Sequence, residues 1–145
     1  MHRDKKFPAC FKNFDMPKIA TTIEREVYRA CPTGKVEPAS FVPSYLECNL
    51  NGLSKEELEN PSRYSLSVDI KYKSIKRFLK LRSHDYQVPF VIAKGVTSSE
   101  CGKSALTKDY NGGKNKSHVD WWLYEHAEPY KYFKVVENEE NVVCS

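Results

Sequence analysis

Several classes of protein are excluded by what this chain lacks. No run approaches the roughly 18 apolar residues that a spanning helix needs, so no membrane contact is expected. The charged start Met1-His2-Arg3-Asp4-Lys5-Lys6 has no apolar run behind it, so no secretory signal is expected either. The five cysteines are odd in number and scattered, with no C-x-x-C, which predicts reduced thiols in a cytoplasm rather than a disulfide frame. His84, His118, His126 and Cys101 show no zinc-ligand spacing, and neither a metal nor another cofactor is expected. Zinc-finger spacing, an RNP aromatic pair and a KH-type G-x-x-G are all missing, as are internal repeats and any linker that would divide the chain. Acid is scarce in the middle. Residues 61–116 carry twelve basic and four acidic side chains, a local +8, against nine and nine in residues 1–60 and two and six in residues 117–145.

What is present suits a folded domain. Hydrophobic content of 40% and aromatic content of 12% in 145 residues predict a single domain with a real core. Residues 1–17 read as an irregular arm that docks through Phe7, Phe11 and Phe14, and residues 137–145 as a frayed acidic tail. Thr21 to Glu24 fits a capping box, followed by Val27 and Cys31 at helical spacing, which predicts a helix ending at Pro32-Thr33-Gly34. Ser54 to Glu57 is a second capping box, opening a short helix that stops at Asn60-Pro61. Tyr64 to Ile70 alternates as a strand, with Tyr64, Leu66, Val68 and Ile70 inward. An amphipathic helix is expected from about Lys73 to Ser83, with Ile75, Phe78 and Leu79 on its apolar stripe. Val88 to Ala93 is a continuous apolar run, as for a strand covered on both faces. Lys94 to Ser117 reads mostly as loop, and Tyr130 to Val136 as a last strand with Phe133 and Val135 inward. The fold expected is α+β: a helical and irregular first half, then a small, mostly antiparallel sheet of about four strands with one amphipathic helix packed on it.

The sharpest chemical hint is the alternation of His118 to Glu125. Val119, Trp121 and Leu123 fall on one face, and His118, Asp120, Trp122 and Tyr124 on the other. If this strand neighbours residues 64–70, then Ser65, Ser67 and Asp69 join His118, Asp120 and Tyr124 in a constellation suited to acid–base or nucleophilic work. The Gly112 and Gly113 amides would then offer donors to developing negative charge. A wet sheet face carrying ordinary polar residues, or one covered by the N-terminal arm, explains the same pattern.

The second hint is basic. Lys73, Lys76, Arg77 and Lys80 share the helix face opposite the apolar stripe, and Lys103, Lys108, Lys114 and Lys116 in the following loop extend the charge. Tyr72, Tyr110 and Trp122 are candidate stacking surfaces beside it. Gly102-Lys103-Ser104 after a strand has P-loop grammar, but Thr97 stands where that motif needs glycine. Two functions follow as expectations. One is a small binding or accessory module that contacts a nucleic acid, a nucleotide or an acidic partner protein within a larger assembly. The alternative is a small enzyme, a hydrolase or nucleotide-modifying, working on the His118/Asp120 face beneath residues 95–117.

Overall fold

The computed structural model describes residues 5–47, 50–82, 90–112 and 115–136. Six strands form one sheet: β1 Glu26–Cys31, β2 Leu66–Asp69, β3 Val91–Val96, β4 Gly102–Leu106, β5 His118–Leu123 and β6 Phe133–Val136. Their order is β4-β5-β2-β1-β3-β6, and every neighbouring pair is antiparallel. The helices are α1 Ser44–Glu47, α2 Lys55–Leu58, α3 Tyr72–Arg82 and α4 Lys108–Asn111. The protein is thus α+β with an open antiparallel sheet, of six strands rather than about four. Among the described residues no helix is long and apolar enough to cross a membrane.

The two additional strands have identifiable causes. β1 stands where helical spacing of Val27 and Cys31 predicts a helix, and it lies between β2 and β3. Val27 and Cys31 are also two steps of a strand alternation, and pairing along its length with β3, from Glu26 to Cys31, decides between the two periods. The capping-box residues do other work. Thr21 exchanges both backbone hydrogen bonds with Ser104 on the outer edge of β4, and the Glu24 carboxylate accepts the Ser99 amide at 2.9 Å. β4 takes the Gly102-Lys103-Ser104 stretch into the ladder beside β5, so this stretch is no phosphate cradle. A Cβ on Gly102 would lie 1.9 Å from the Trp122 carbonyl oxygen, so only glycine lets these two strands close. The segment expected as loop over 94–117 therefore contains the end of β3, β4 and α4. Of the second capping box the Ser54 half forms, its hydroxyl accepting the Glu57 amide at the start of α2.

Strand spacing shows that the sheet curls. β5 and β6 are four positions apart, about 19 Å in a flat sheet. Yet the rings of Trp121 and Phe133 are 6.1 Å apart. Their face is concave and holds the main core of Val27, Cys31, Leu66, Val68, Ala93, Val119, Trp121 and Leu123, closed by Phe41 and Cys101. The convex face carries two separate covers. α3 lays Ile75 on Ala30 and Ile92, flanked by Tyr28, Tyr72 and Leu79. Over β4 and β5, Phe11 and Phe14 of the N-terminal segment pack with Tyr64, Ala105 and Trp122. Ile70, Phe78 and Val135, expected inward, are 38%, 41% and 45% exposed. Tyr64 is buried, but in the cluster beneath the N-terminal segment rather than in the concave core.

Candidate functional site

β2 and β5 are neighbours, with Ser67 opposite Asp120 and Asp69 opposite His118. The carboxylate of Asp120 is fully buried. Its Oδ1 accepts from Ser65 Oγ at 2.5 Å, and its Oδ2 from Tyr110 OH at 2.5 Å and Thr107 Oγ1 at 2.7 Å. Ser62 Oγ lies 3.3 Å from Oδ2, but Tyr110 has already given its one proton to Asp120, so Ser62 places its own on Tyr110 OH at 2.8 Å, and three hydroxyls donate to the carboxylate. Thr107 has one proton and places it on Asp120, so the 2.6 Å contact to His118 Nδ1 requires the imidazole to donate there. Burial, and then the hydrogen bond to Asp120, push the Tyr110 phenol well above its ordinary value. Tyr110 therefore stays a neutral donor. The network ties β5 to α4 and to the turn that leads into β2. It leaves Asp120 without solvent access, out of reach of a substrate.

The expected catalytic residues divide accordingly. Ser65, Asp120 and His118 come together. Asp69 is register-paired with His118, but its Oδ1 accepts the Lys71 amide at 2.8 Å and sets the chain into α3. Ser67 is exposed on the sheet. Tyr124 lies one residue beyond β5 and packs on Phe7 at 4.9 Å, away from Asp120. The Gly112 amide closes α4 on the Lys108 carbonyl, and Gly113 lies outside the described residues. Two expected stacking residues are also enclosed. Trp122 is fully buried, with Nε1 donating to the Pro61 carbonyl at 2.9 Å, and Tyr110 packs on it at 5.8 Å. Tyr72 packs on Tyr28 at 5.6 Å. The sequence pattern missed Ser62 and Thr107, whose only signal is their place at turn and helix starts beside Pro61 and Lys108.

The basic residues have a different fate. An open groove of about 630 Å³ runs between α3 and residues 115–117, lined by Lys71, Lys73, Ser74, Arg77, Asn115, Lys116 and Ser117. A second depression of about 390 Å³ over Lys73, Lys76, Arg77 and Lys80 shares Lys73 and Arg77 with it. Among the described residues no carboxylate lines either. The wall is built rather than loose. Ser117 is buried, its carbonyl accepts the Ile70 amide at 3.1 Å, and its Oγ meets Ser74 Oγ at 3.0 Å. Asn115 Oδ1 accepts from Ser117 N, Ser117 Oγ and His118 N within 3.1 Å. Those three donors fix the carboxamide with its oxygen toward the turn and its NH₂ away from it. Lys103 sits on β4, whereas α3 packs on β1 and β2, so Lys103 does not join the groove. Lys114 lies outside the described residues.

Among the described residues no cluster of three or more His, Cys, Asp or Glu is arranged to hold a metal. Comparison with family models, with curated proteins and with solved structures finds no match to this chain.

Proposed function

We propose that this protein is a binding module that holds a polyanion, a nucleic acid or a nucleotide, in the groove along α3. The observation that carries this reading is the chemistry of the groove lining. Lys71, Lys73, Arg77 and Lys116 supply four cations, the Asn115 NH₂ supplies a neutral donor, and among the described residues no carboxylate opposes them. A donor-rich wall without acid attracts an oxyanion and repels a cation. Lys73 to Lys80 spans about 10 Å of helix, the length of two or three successive phosphates. The excess of basic residues over 61–116 extends that field beyond the groove. The enzymatic alternative needs a reachable base, whereas Asp120 is buried and bonded by three hydroxyls.

Fluorescence anisotropy of a labelled oligonucleotide, titrated at two salt concentrations, tests the reading. Three or four phosphate contacts on a single strand predict a loss of roughly 20- to 50-fold between 50 and 200 mM salt. Binding that ignores salt, or no binding at low salt, overturns it. Binding of acidic peptides in place of oligonucleotides would move the ligand to a partner protein.

A further inference from the structure

We propose that the protein has a second binding site, a groove past the end of β5 that takes a proline-rich, basic-flanked peptide of a partner protein. The site is independent of the polyanion reading. Residues 115–117 of the α3 groove precede β5 and residues 124–130 of this one follow it, so about 17 Å of strand separates them. The groove measures about 610 Å³, opens to solvent, and is formed from residues 38–46 and 123–130 with Pro8. Its walls are fixed. Phe41 is anchored in the concave core, its ring 5.0 Å from that of Phe133. The Tyr124 amide donates to the Cys101 carbonyl and the Glu125 amide to the Lys6 carbonyl, both at 2.7 Å. The Ala127 amide closes the turn on Tyr124, with His126 between them in left-handed backbone at φ 65°.

The lining chooses the occupant. Pro8, Pro38, Pro43 and Pro129 present apolar rings and no N–H. The donors on offer are phenols: neither Tyr45 OH nor Tyr124 OH has a hydrogen-bond partner among the described residues. Burial, then Cys10 and Glu125, pushes Tyr45 up to about 12, so its proton stays on the ring. A polyproline II segment complements such a wall. It makes no internal hydrogen bonds, its prolines bring no N–H, and its carbonyls need donors. Aromatic-lined grooves are where these segments dock. Charge sets the flank. Glu125 and Glu128 line the groove, and no Lys or Arg does. Glu128 is engaged by Lys131 Nζ and by Tyr130 OH, each at 3.1 Å. Glu125 is half exposed, and with His126 Nε2 at 3.5 Å it keeps acceptor positions for an arginine or lysine of the peptide. A polyanion would meet two carboxylates here, so the two grooves take ligands of opposite charge.

The test follows backbone amide NMR shifts of the protein against three peptides. One is a hexaproline ending in two arginines, one a hexaproline ending in two glutamates, and one a Gly-Ser hexapeptide ending in two arginines. The proline–arginine peptide should shift the amides of residues 123–128 saturably and leave those of α3 in place. The glutamate form should bind more weakly, and the Gly-Ser form should not bind. Tyr45→Phe keeps the ring against Phe11 and Tyr64 and should lose about 3- to 10-fold in affinity, the worth of one hydrogen bond. Glu125→Gln should narrow the preference for arginine over glutamate. No saturable shift with either proline peptide, or an equal response to the Gly-Ser peptide, overturns the proposal. So does unchanged binding in both variants, which places the peptide elsewhere. Shifts of the same amides on concentrating the protein alone would seat a second copy in the groove and overturn it too.

Discussion

The convex face of the sheet carries two covers that use similar residues to opposite ends. Over β4 and β5, Phe11 and Phe14 pack on the sheet, and the buried carboxylate of Asp120 accepts from three hydroxyls. Along α3, serine hydroxyls and an asparagine amide again form a small hydrogen-bonded wall, but it opens to solvent and is flanked by lysine and arginine. Polar residues at the first place hold elements together. At the second they brace an open surface whose free donors are the Asn115 NH₂ and the flanking cations. The difference lies in what covers each half, and a period of two along one strand cannot reveal it.

The largest expected effect tests the closed half. Asp120→Ala removes the common acceptor of Ser65, Thr107 and Tyr110, leaving buried hydroxyls to re-pair poorly. A loss of about 3–5 kcal/mol is expected, read from urea unfolding midpoints. Asp120→Asn keeps one acceptor oxygen and should lose less. If Asp120→Ala unfolds at the wild-type midpoint, the network is not structural and the comparison collapses. The open half predicts the reverse pairing of effects. Lys73→Glu with Arg77→Glu should weaken oligonucleotide binding by at least about 100-fold. Its melting temperature should stay within about 2 °C of wild type, because exposed charges contribute little to the fold.

How much of this was legible beforehand follows from particular residues. The α3 amphipathicity, the Ser54 cap and the alternation of His118 to Leu123 are local signals, and all three elements stand in the structure. β1 was hidden because Val27 and Cys31 satisfy both helical and strand spacing, and only pairing with β3 separates them. β4 was hidden because Gly102, Lys103 and Ser104 read as loop, while the glycine is there to admit the Trp122 carbonyl. The Asp120 network needs Ser62, Ser65 and Thr107, which approach only through the β2–β5 register and the turns beside it. The basic groove was half legible. The face of α3 could be read from spacing, but its second wall at Asn115 and Ser117 depends on where β5 begins.

Alkaline titration sharpens the same contrast, since the buried groups resist ionisation. Burial pushes Cys31 and Cys101 of the concave core from 9.0 up to about 11. Tyr45, beside Phe11 and Tyr64, is pushed from 10.0 up to about 12 by burial and then by Cys10 and Glu125. A group whose pKa is higher in the folded state holds its proton longer there than in the unfolded chain. Its contribution is complete below the unfolded value and is lost as pH rises through the folded one. Melting temperature should therefore be flat to about pH 9 and fall between 9 and 12. Cys31→Ala with Cys101→Ala should flatten the part from 9 to 11, and Tyr45→Phe the part from 10 to 12, both measured by circular dichroism melts. An unchanged slope in these variants would place the alkaline loss elsewhere.

The smallest effects come from two serines that look equivalent in sequence. Ser65 and Ser67 alternate on the same side of one extended segment. Ser65 is buried and donates to Asp120 Oδ1, whereas Ser67 is exposed. Ser65→Ala should cost roughly 1–2 kcal/mol, because Asp120 loses a short charge-assisted donor in a site without water. Ser67→Ala should stay within about 0.5 kcal/mol of wild type. Equal losses in the two variants would mean that the cover over β5 extends across Ser67, with the closed half wider than the aromatic packing implies. Equal and negligible losses would mean that water reaches Asp120 when Ser65 is removed, and that the aromatic cover seals the carboxylate only loosely.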